Sequence, residues 1–147
     1  MTWRDVNVNG EDLDRLIDAY FADEKILAAN RTPGPISKEP LPGYDGRLFD
    51  WLTEMLNYGP PDGPEQAWPI ILQLVARAPD ERALTFVGSS ALEDLVRKSS
   101  IAFHDRIVEE ASSNPRFRRA LSHVLQTEAV SPDLQELIAS IRRSRGQ

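Results

Sequence analysis

The sequence predicts an all-α fold, and two observations support that class. Apolar residues recur at helical spacing along most of the chain, and no segment alternates apolar and polar residues over the length of a strand. The 147 residues are enough for one domain with a buried core. We therefore predict a compact single domain over residues 1–147, with loose ends at 1–10 and 145–147. It should contain about seven to eight short helices, packed as antiparallel helical hairpins in a HEAT-like pile that is not a true solenoid.

The first part of the chain predicts two helices joined by a Pro-rich connector. The first helix starts at Asn9 or Gly10 and ends near Asn30. Residues 30–44 carry four prolines and two glycines, which favours an irregular strap over regular structure. Asp45 can cap the second helix. The apolar residues that should be buried in this helix are Leu48, Trp51, Leu52, Met55 and Leu56.

The stretch 67–78 is apolar on almost every face, which is typical of a helix buried by neighbours on several sides. We predict that it is the central helix and that Trp68 anchors it in the core. Pro69 conflicts with a regular helix interior, because proline lacks the backbone donor and clashes with the preceding turn. The helix should therefore start near Trp68, or kink at Pro69.

The second half predicts further short helices from their end signals. Asp80 caps a helix over 81–87, which Gly88 should end in the left-handed conformation. Ser90 and Glu93 match a capping box, which opens the next helix. The remaining helices are predicted over 91–98, over 101–111, over 116–126 behind Asn114 and Pro115, and over 133–144 behind Ser131 and Pro132.

Composition excludes several classes of protein. The net charge of -6 has the opposite sign to that of most nucleic-acid binders. No apolar run approaches the roughly 20 residues of a membrane helix, and the N-terminus lacks the features of a signal peptide. The chain has no cysteine, which excludes disulfides and cysteine metal sites and fits a reducing compartment. We therefore predict a cytoplasmic protein that binds neither nucleic acid nor membrane.

No pattern predicts a catalytic residue, a cofactor or a metal as the main reading of the sequence. The strongest metal candidate combines His104, Asp105 and Glu109, because histidine and carboxylates at this spacing can converge. The adjacent Glu93 and Asp94 point about 100° apart on a helix and so do not form an acid–base pair. A basic cluster consists of Arg116, Arg118 and Arg119. We expect it to be a solvated face that pairs with nearby acidic residues.

An acidic surface on the first helix is the candidate for partner binding. Asp14 and Asp18 are four residues apart and share the outer face of this helix. The other acidic residues assigned to this surface are Glu11, Asp23 and Glu24. Residues 1–63 carry a net charge of -6, from 12 acids and 6 bases, which fits either a solvated surface or contact with a basic protein partner.

The residue pattern resembles a family of small all-helical bacterial domains of unknown function. The resemblance covers roughly residues 12–127 and implies an all-helical fold, with no established activity, cofactor or catalytic residue to carry over. Pro69 departs from the pattern, since the family usually has an ordinary helix former there. The residues that carry it are Ala67-Trp68, Leu74-Val75, Ala78-Pro79, Gly88, Leu92-Glu93-Asp94-Leu95, Phe103, Asn114-Pro115, Phe117-Arg118 and Ala120-Leu121.

Three functions remain open at the level of sequence. The first is a non-catalytic helical protein-binding module, of an immunity or antitoxin type, that uses the acidic surface. The second is a metal-dependent hydrolase that uses His104, Asp105 and Glu109. The third is a structural accessory domain that forms homo-oligomers.

Overall fold

A computed structural model describes residues 6–29, 41–125 and 130–145 of the chain. All regular structure within these ranges is helical, and they contain no strand, which confirms the predicted all-α class. The chain divides into two compact units, residues 1–51 and residues 52–147. The single domain over 1–147 therefore stays a prediction. Most of the predicted connector and most of the predicted loose ends lie outside the described residues.

The described helices are fewer and longer than the sequence predicts. A π-helical turn continues α4 into α5 without a break, so the described ranges hold six continuous helices where about seven to eight were expected. The predicted break between 98 and 101 is instead a kink inside α5, where Ser99 has the non-helical angles φ -135° and ψ 24°. The bounds are α1 Gly10–Ala29, α2 Arg47–Asn57, α3 Gly63–Arg77, α4 Glu81–Val87, the π turn Gly88–Leu92, α5 Glu93–Ser113, α6 Pro115–Leu121 and α7 Pro132–Arg145.

The first unit contains α1 and the beginning of α2. Helix α1 ends at Ala29, as the sequence predicts, and Tyr20 packs edge-on against Phe21 with ring centroids 5.3 Å apart. The predicted buried face of α2 is confirmed, since all five of its apolar residues are buried. Other buried apolar residues of α1 are Leu16 and Ile17.

Helix α6 holds the central place in the second unit, because it contacts α3, α4, the π turn, α5 and α7. The prediction that α3 is the central helix is therefore wrong. Helix α3 is amphipathic instead, with Pro69, Gln73 and Arg77 exposed. Trp68 is half-buried, and its ring lies 5.8 Å from that of Phe117 on α6. The buried residues of α3 are Gly63, Ala67, Ile70, Ile71, Leu74 and Val75.

Pro69 lies inside α3, which starts at Gly63 with Pro64 in its first turn. The predicted start near Trp68 is therefore wrong, and the alternative of a kink at Pro69 stays a prediction. Pro64 suits the start, because the first backbone donors of a helix have no intrahelical partner. Pro69 removes one donor from the helix interior, and it does so on the exposed side.

Gly88 does not end a helix in the left-handed conformation. Its backbone angles are φ -63° and ψ -42°, which are those of a right-handed helix. A Cβ atom on Gly88 would lie 2.2 Å from the carbonyl oxygen of Ala120 on α6. The position requires glycine because two backbones approach each other closely there, and not because the chain turns.

Ser90 and Glu93 do not form the predicted capping box. The π turn carries the chain through this point as a continuous helix, so no helix start exists there to be capped. The Ser90 hydroxyl donates to the carbonyl of Phe86, one turn back. The Glu93 carboxylate instead accepts from the backbone N–H of Leu125 at 2.8 Å, beyond the end of α6.

Asp80 and Asn114 are confirmed as caps, whereas Ser131 is not. The Asp80 carboxylate accepts from the backbone N–H of Ala83 at 2.8 Å. The Asn114 side chain accepts from the N–H of Phe117 at 3.2 Å, and Pro115 opens α6. The Ser131 hydroxyl is buried without a hydrogen-bond partner, so it does not cap α7. Helix α6 also ends at Leu121, short of the predicted end at residue 126.

Gly88→Ala should lower the free energy of unfolding by about 1–3 kcal/mol, the usual cost of overpacking a core. An ordinary Gly→Ala change inside a helix has the opposite sign, because alanine favours the helix by about 0.8–1.0 kcal/mol. The control is Ser89→Ala, an exposed change that should shift stability by less than about 0.5 kcal/mol. Urea denaturation followed by circular dichroism measures both. A Gly88→Ala protein more stable than wild type would contradict the close approach.

Candidate functional site

The acidic residues assigned to partner binding separate into two groups. Glu11, Asp14 and Asp18 are exposed, and their spacing of three and four residues places them on one stripe of α1. Asp23 and Glu24 are each only 5% exposed, so the expectation that they extend the acidic surface is wrong. The candidate surface is therefore the stripe of three residues, which we call the acidic stripe.

Asp23 is buried because its carboxylate serves the start of α2. One oxygen accepts from the backbone N–H of Asp45, and the other accepts from that of Gly46, both at 2.8 Å. These donors precede the first turn of α2, where a negative charge is favoured by the helix dipole. Gly46 has a positive φ of 75°, which a residue with a side chain rarely adopts. Asp23 therefore holds together α1 and the entry to α2.

Asp45 makes a local contribution at the same helix start. Its carboxylate accepts from the backbone N–H of Arg47 at 3.0 Å and pairs with the Arg47 guanidinium at 2.9 Å. The hydrogen bonds from the guanidinium lower the pKa of Asp45 below its ordinary value. A lowered carboxyl pKa stabilises the fold at pH values above the ordinary carboxyl pKa, and this contribution is lost as the pH falls through the lowered pKa.

The residues of the candidate metal site are only partly brought together. Nδ1 of His104 lies 3.1 Å from a carboxylate oxygen of Asp105, and Nε2 lies 3.9 Å from one of Asp133 on α7. Throughout the described ranges, no group of three or more His, Cys, Asp or Glu residues is placed to hold a metal ion. Glu109 is exposed and belongs to no such group. Sequence spacing could not find Asp133 beside His104, because the two residues are 29 positions apart and on different helices.

The basic cluster on α6 binds mainly backbone carbonyls, contrary to the expectation of a solvated face. Arg116 donates to the carbonyls of Val75 at 3.0 Å and Ala78 at 2.6 Å, at the end of α3. Arg118 donates to the carbonyl of Ala111 at 2.6 Å, near the end of α5. Carbonyls in the last turn of a helix lack intrahelical partners, so these arginines satisfy groups that would otherwise be unpaired.

Arg119 and Arg142 complete this picture near the end of α6. Arg119 forms an exposed ion pair with Glu81 at 3.0 Å, which is the kind of pairing that the sequence predicts for the whole cluster. Arg142 on α7 donates to the carbonyls of Ser122 at 2.7 Å and Val124 at 2.6 Å, just after α6 ends. Most of these cations therefore stabilise helix ends and are not available as a phosphate-binding surface.

Two concave surfaces lie along the seam between α5 and α7. One has a volume of about 450 Å³ and also touches the start of α6. The other has a volume of about 310 Å³ and lies at the start of α7, beside His104. The larger is lined by Val108, Ala111, Ser112, Pro115, Arg118, Arg119, Leu137, Ser140, Ile141 and Ser144. The smaller is lined by Ile101, His104, Asp105, Ser131 and Asp133.

Within the described ranges, no helix is both long enough and apolar enough to cross a membrane. Two surface features stand out in the described ranges. One is the acidic stripe on α1, and the other is the seam between α5 and α7, which has a mixed polar and apolar lining. Both are suited to contact with another molecule.

Comparison with known families finds a match. The model of the Family of unknown function (DUF6869) matches residues 40–146. This confirms the resemblance to a domain family of unknown function. Comparison with curated proteins gave no match. Comparison with solved structures gave none either.

Asp23→Ala should lower the free energy of unfolding by about 1.5–3 kcal/mol, because it removes two hydrogen bonds to a charged group and leaves two backbone donors unpaired. The control is Asp18→Ala, which removes an exposed charge from the same helix and should change stability by less than about 0.5 kcal/mol. Thermal and urea denaturation of both variants measure the difference. Equal effects of the two changes would show that Asp23 does not anchor the start of α2.

Arg142→Ala should destabilise the protein by about 1 kcal/mol, because two carbonyls beyond α6 lose a charged donor. Arg143 is the matched control, since its exposed ion pair with Glu136 at 2.9 Å contributes little to stability. Hydrogen exchange at the backbone amides of 122–125 should increase in Arg142→Ala and stay unchanged in Arg143→Ala. Unchanged exchange in both variants would contradict the assigned role of Arg142.

Proposed function

We propose that this chain, which belongs to the family of unknown function DUF6869, is a non-catalytic protein-binding module that contacts a basic protein through its acidic stripe. The observation that carries the proposal is the exposure of Glu11, Asp14 and Asp18 along one side of α1. Asp23 and Glu24 are buried, so they do not belong to this surface.

Helix stability does not account for the acidic stripe. Like charges three and four residues apart slightly destabilise a helix, by about 0.2–0.5 kcal/mol per pair. Of the three residues of the acidic stripe, only Glu11 lies in the first turn of α1, where the helix dipole favours an acid. Asp14 and Asp18 lie beyond that turn, and the basic surface of a partner would pair with their charges.

The same arrangement favours fast association with a basic partner. Complementary charge raises the rate of encounter, and exposed charges are screened by salt beyond about 8–10 Å. An immunity or antitoxin role, in which the basic partner is a toxin, is the specific form of this proposal. A cytoplasmic location is part of the proposal and is supported by a sequence of 147 residues without cysteine.

The experiment starts with affinity capture from the source cell, using the full chain as bait, followed by rate measurements on the identified partner. The double variant Asp14→Lys with Asp18→Lys should keep its fold and associate more slowly, by about tenfold or more at low salt. Wild-type association should also slow as the salt concentration rises. Circular dichroism checks the fold, and stopped-flow fluorescence measures the rate.

The matched control is Glu109→Lys with Glu136→Lys, which changes the net charge equally at exposed positions on α5 and α7. It should leave the association rate within about twofold of wild type, since charges outside the contact act only through the overall field. An association rate that responds equally to both double variants, or to neither, would show that the acidic stripe is not the contact surface.

A further inference from the structure

We propose that the seam between α5 and α7 is a homodimer interface, onto which a second copy of the chain packs about a two-fold axis. This inference does not depend on the proposed function, because it uses helices and residues that the acidic stripe does not include. It assigns a specific surface and orientation to self-association.

The seam has a defined direction. The smaller concave surface joins residues 101–105 of α5 to residues 131–133 before and at the start of α7. The larger one joins residues 108–112 of α5 to residues 137–144 of α7. Because low numbers meet low numbers and high numbers meet high numbers, α5 and α7 run in the same direction. The two concave surfaces therefore lie one after the other along a single seam.

Apolar side chains remain exposed on the α5 side of this seam. Ile101 is 89% exposed and Val108 is 39% exposed. They are seven residues apart, so they lie two turns apart on one face of the helix. At 1.5 Å per residue, the stretch 101–112 is about 17 Å long. A standard interface covers about 800 Å² on each partner, so this stretch would form one part of it. Burying Ile101 and Val108 would remove apolar surface from water.

The two ends of the seam carry opposite charge. Asp105 and Asp133 line the smaller concave surface. Arg118 and Arg119 line the larger one at the other end. A second copy in the same orientation would place like charges together, whereas a copy related by a two-fold axis perpendicular to the seam places each acidic end against a basic end. Such an interface is self-complementary, which is the requirement for a closed dimer.

The pairing requires little rearrangement of the existing contacts. The Asp105 side chain is fully exposed. Arg119 forms an exposed ion pair with Glu81, and exposed pairs contribute about 0–1 kcal/mol. Exchanging this partner for Asp105 of a second copy therefore costs little. Arg118 stays bonded to the Ala111 carbonyl, so Arg119 is the basic residue that makes the new contact.

Analytical ultracentrifugation of the full chain tests the proposal, with circular dichroism as the check of fold. Wild type should show a reversible monomer–dimer equilibrium, and Ile101→Glu should shift it to monomer. The control is Tyr58→Glu, which changes an aromatic residue that is 77% exposed and lies outside the seam. It should leave the equilibrium unchanged. A wild-type protein that stays monomeric up to about 1 mM, the weakest range of specific association, would overturn the proposal.

A charge exchange tests the orientation. Asp105→Arg and Arg119→Asp should each weaken the dimer by about tenfold, since each places like charges together across the interface. The double variant restores opposite charges at both contacts and should regain wild-type dimerisation. If the double variant were weaker than either single variant, the effects would be independent losses and the two-fold pairing would be wrong. Capture of another protein on this surface by monomeric wild type would equally overturn the dimer.

Discussion

The close approach of α6 to the π turn is the contact on which the second unit depends. Gly88 and Ala120 bring two backbones together at a distance that no Cβ atom on Gly88 would allow. Through this approach a helix of seven residues contacts five other elements. So short a helix is marginal by itself in water, and its stability comes from tertiary packing. Phe117, Ala120 and Leu121 supply that packing, since all three are fully buried.

Several charged side chains of this protein complete the hydrogen bonding of the backbone. The net charge of the sequence therefore overstates the charge that is available at the surface. Arg116 and Arg118 satisfy carbonyls near the ends of α3 and α5, and Arg142 satisfies those that follow α6. Asp23 does the same for donors that precede α2. These charges stabilise helix ends within the fold. The charges left for recognition are therefore those at exposed positions with no such task in the backbone, and they are fewer than the sequence count indicates.

The sequence predicts what is decided locally and fails where distant residues decide. Apolar spacing correctly indicates the helices, and Asp80 and Asn114 are correctly recognised as caps because each bonds a backbone donor three residues ahead. Gly88 and Glu93 are misread, since their partners lie on or just after α6, about thirty residues away. The acidic surface is overestimated for the same reason. Asp23 and Glu24 resemble their exposed neighbours in sequence, and only the fold buries them.

The family match includes one of the two proposed surfaces and excludes the other. Residues 40–146 include Gly88, Asn114 and the arginines that bind helix ends, so the contacts that build the second unit lie within the matched region. The seam between α5 and α7 lies there too. The acidic stripe on α1 lies before residue 40 and so outside the match. The proposed dimer surface therefore lies within the region that matches the family. The proposed contact with a basic partner lies on a helix that precedes this region in the sequence.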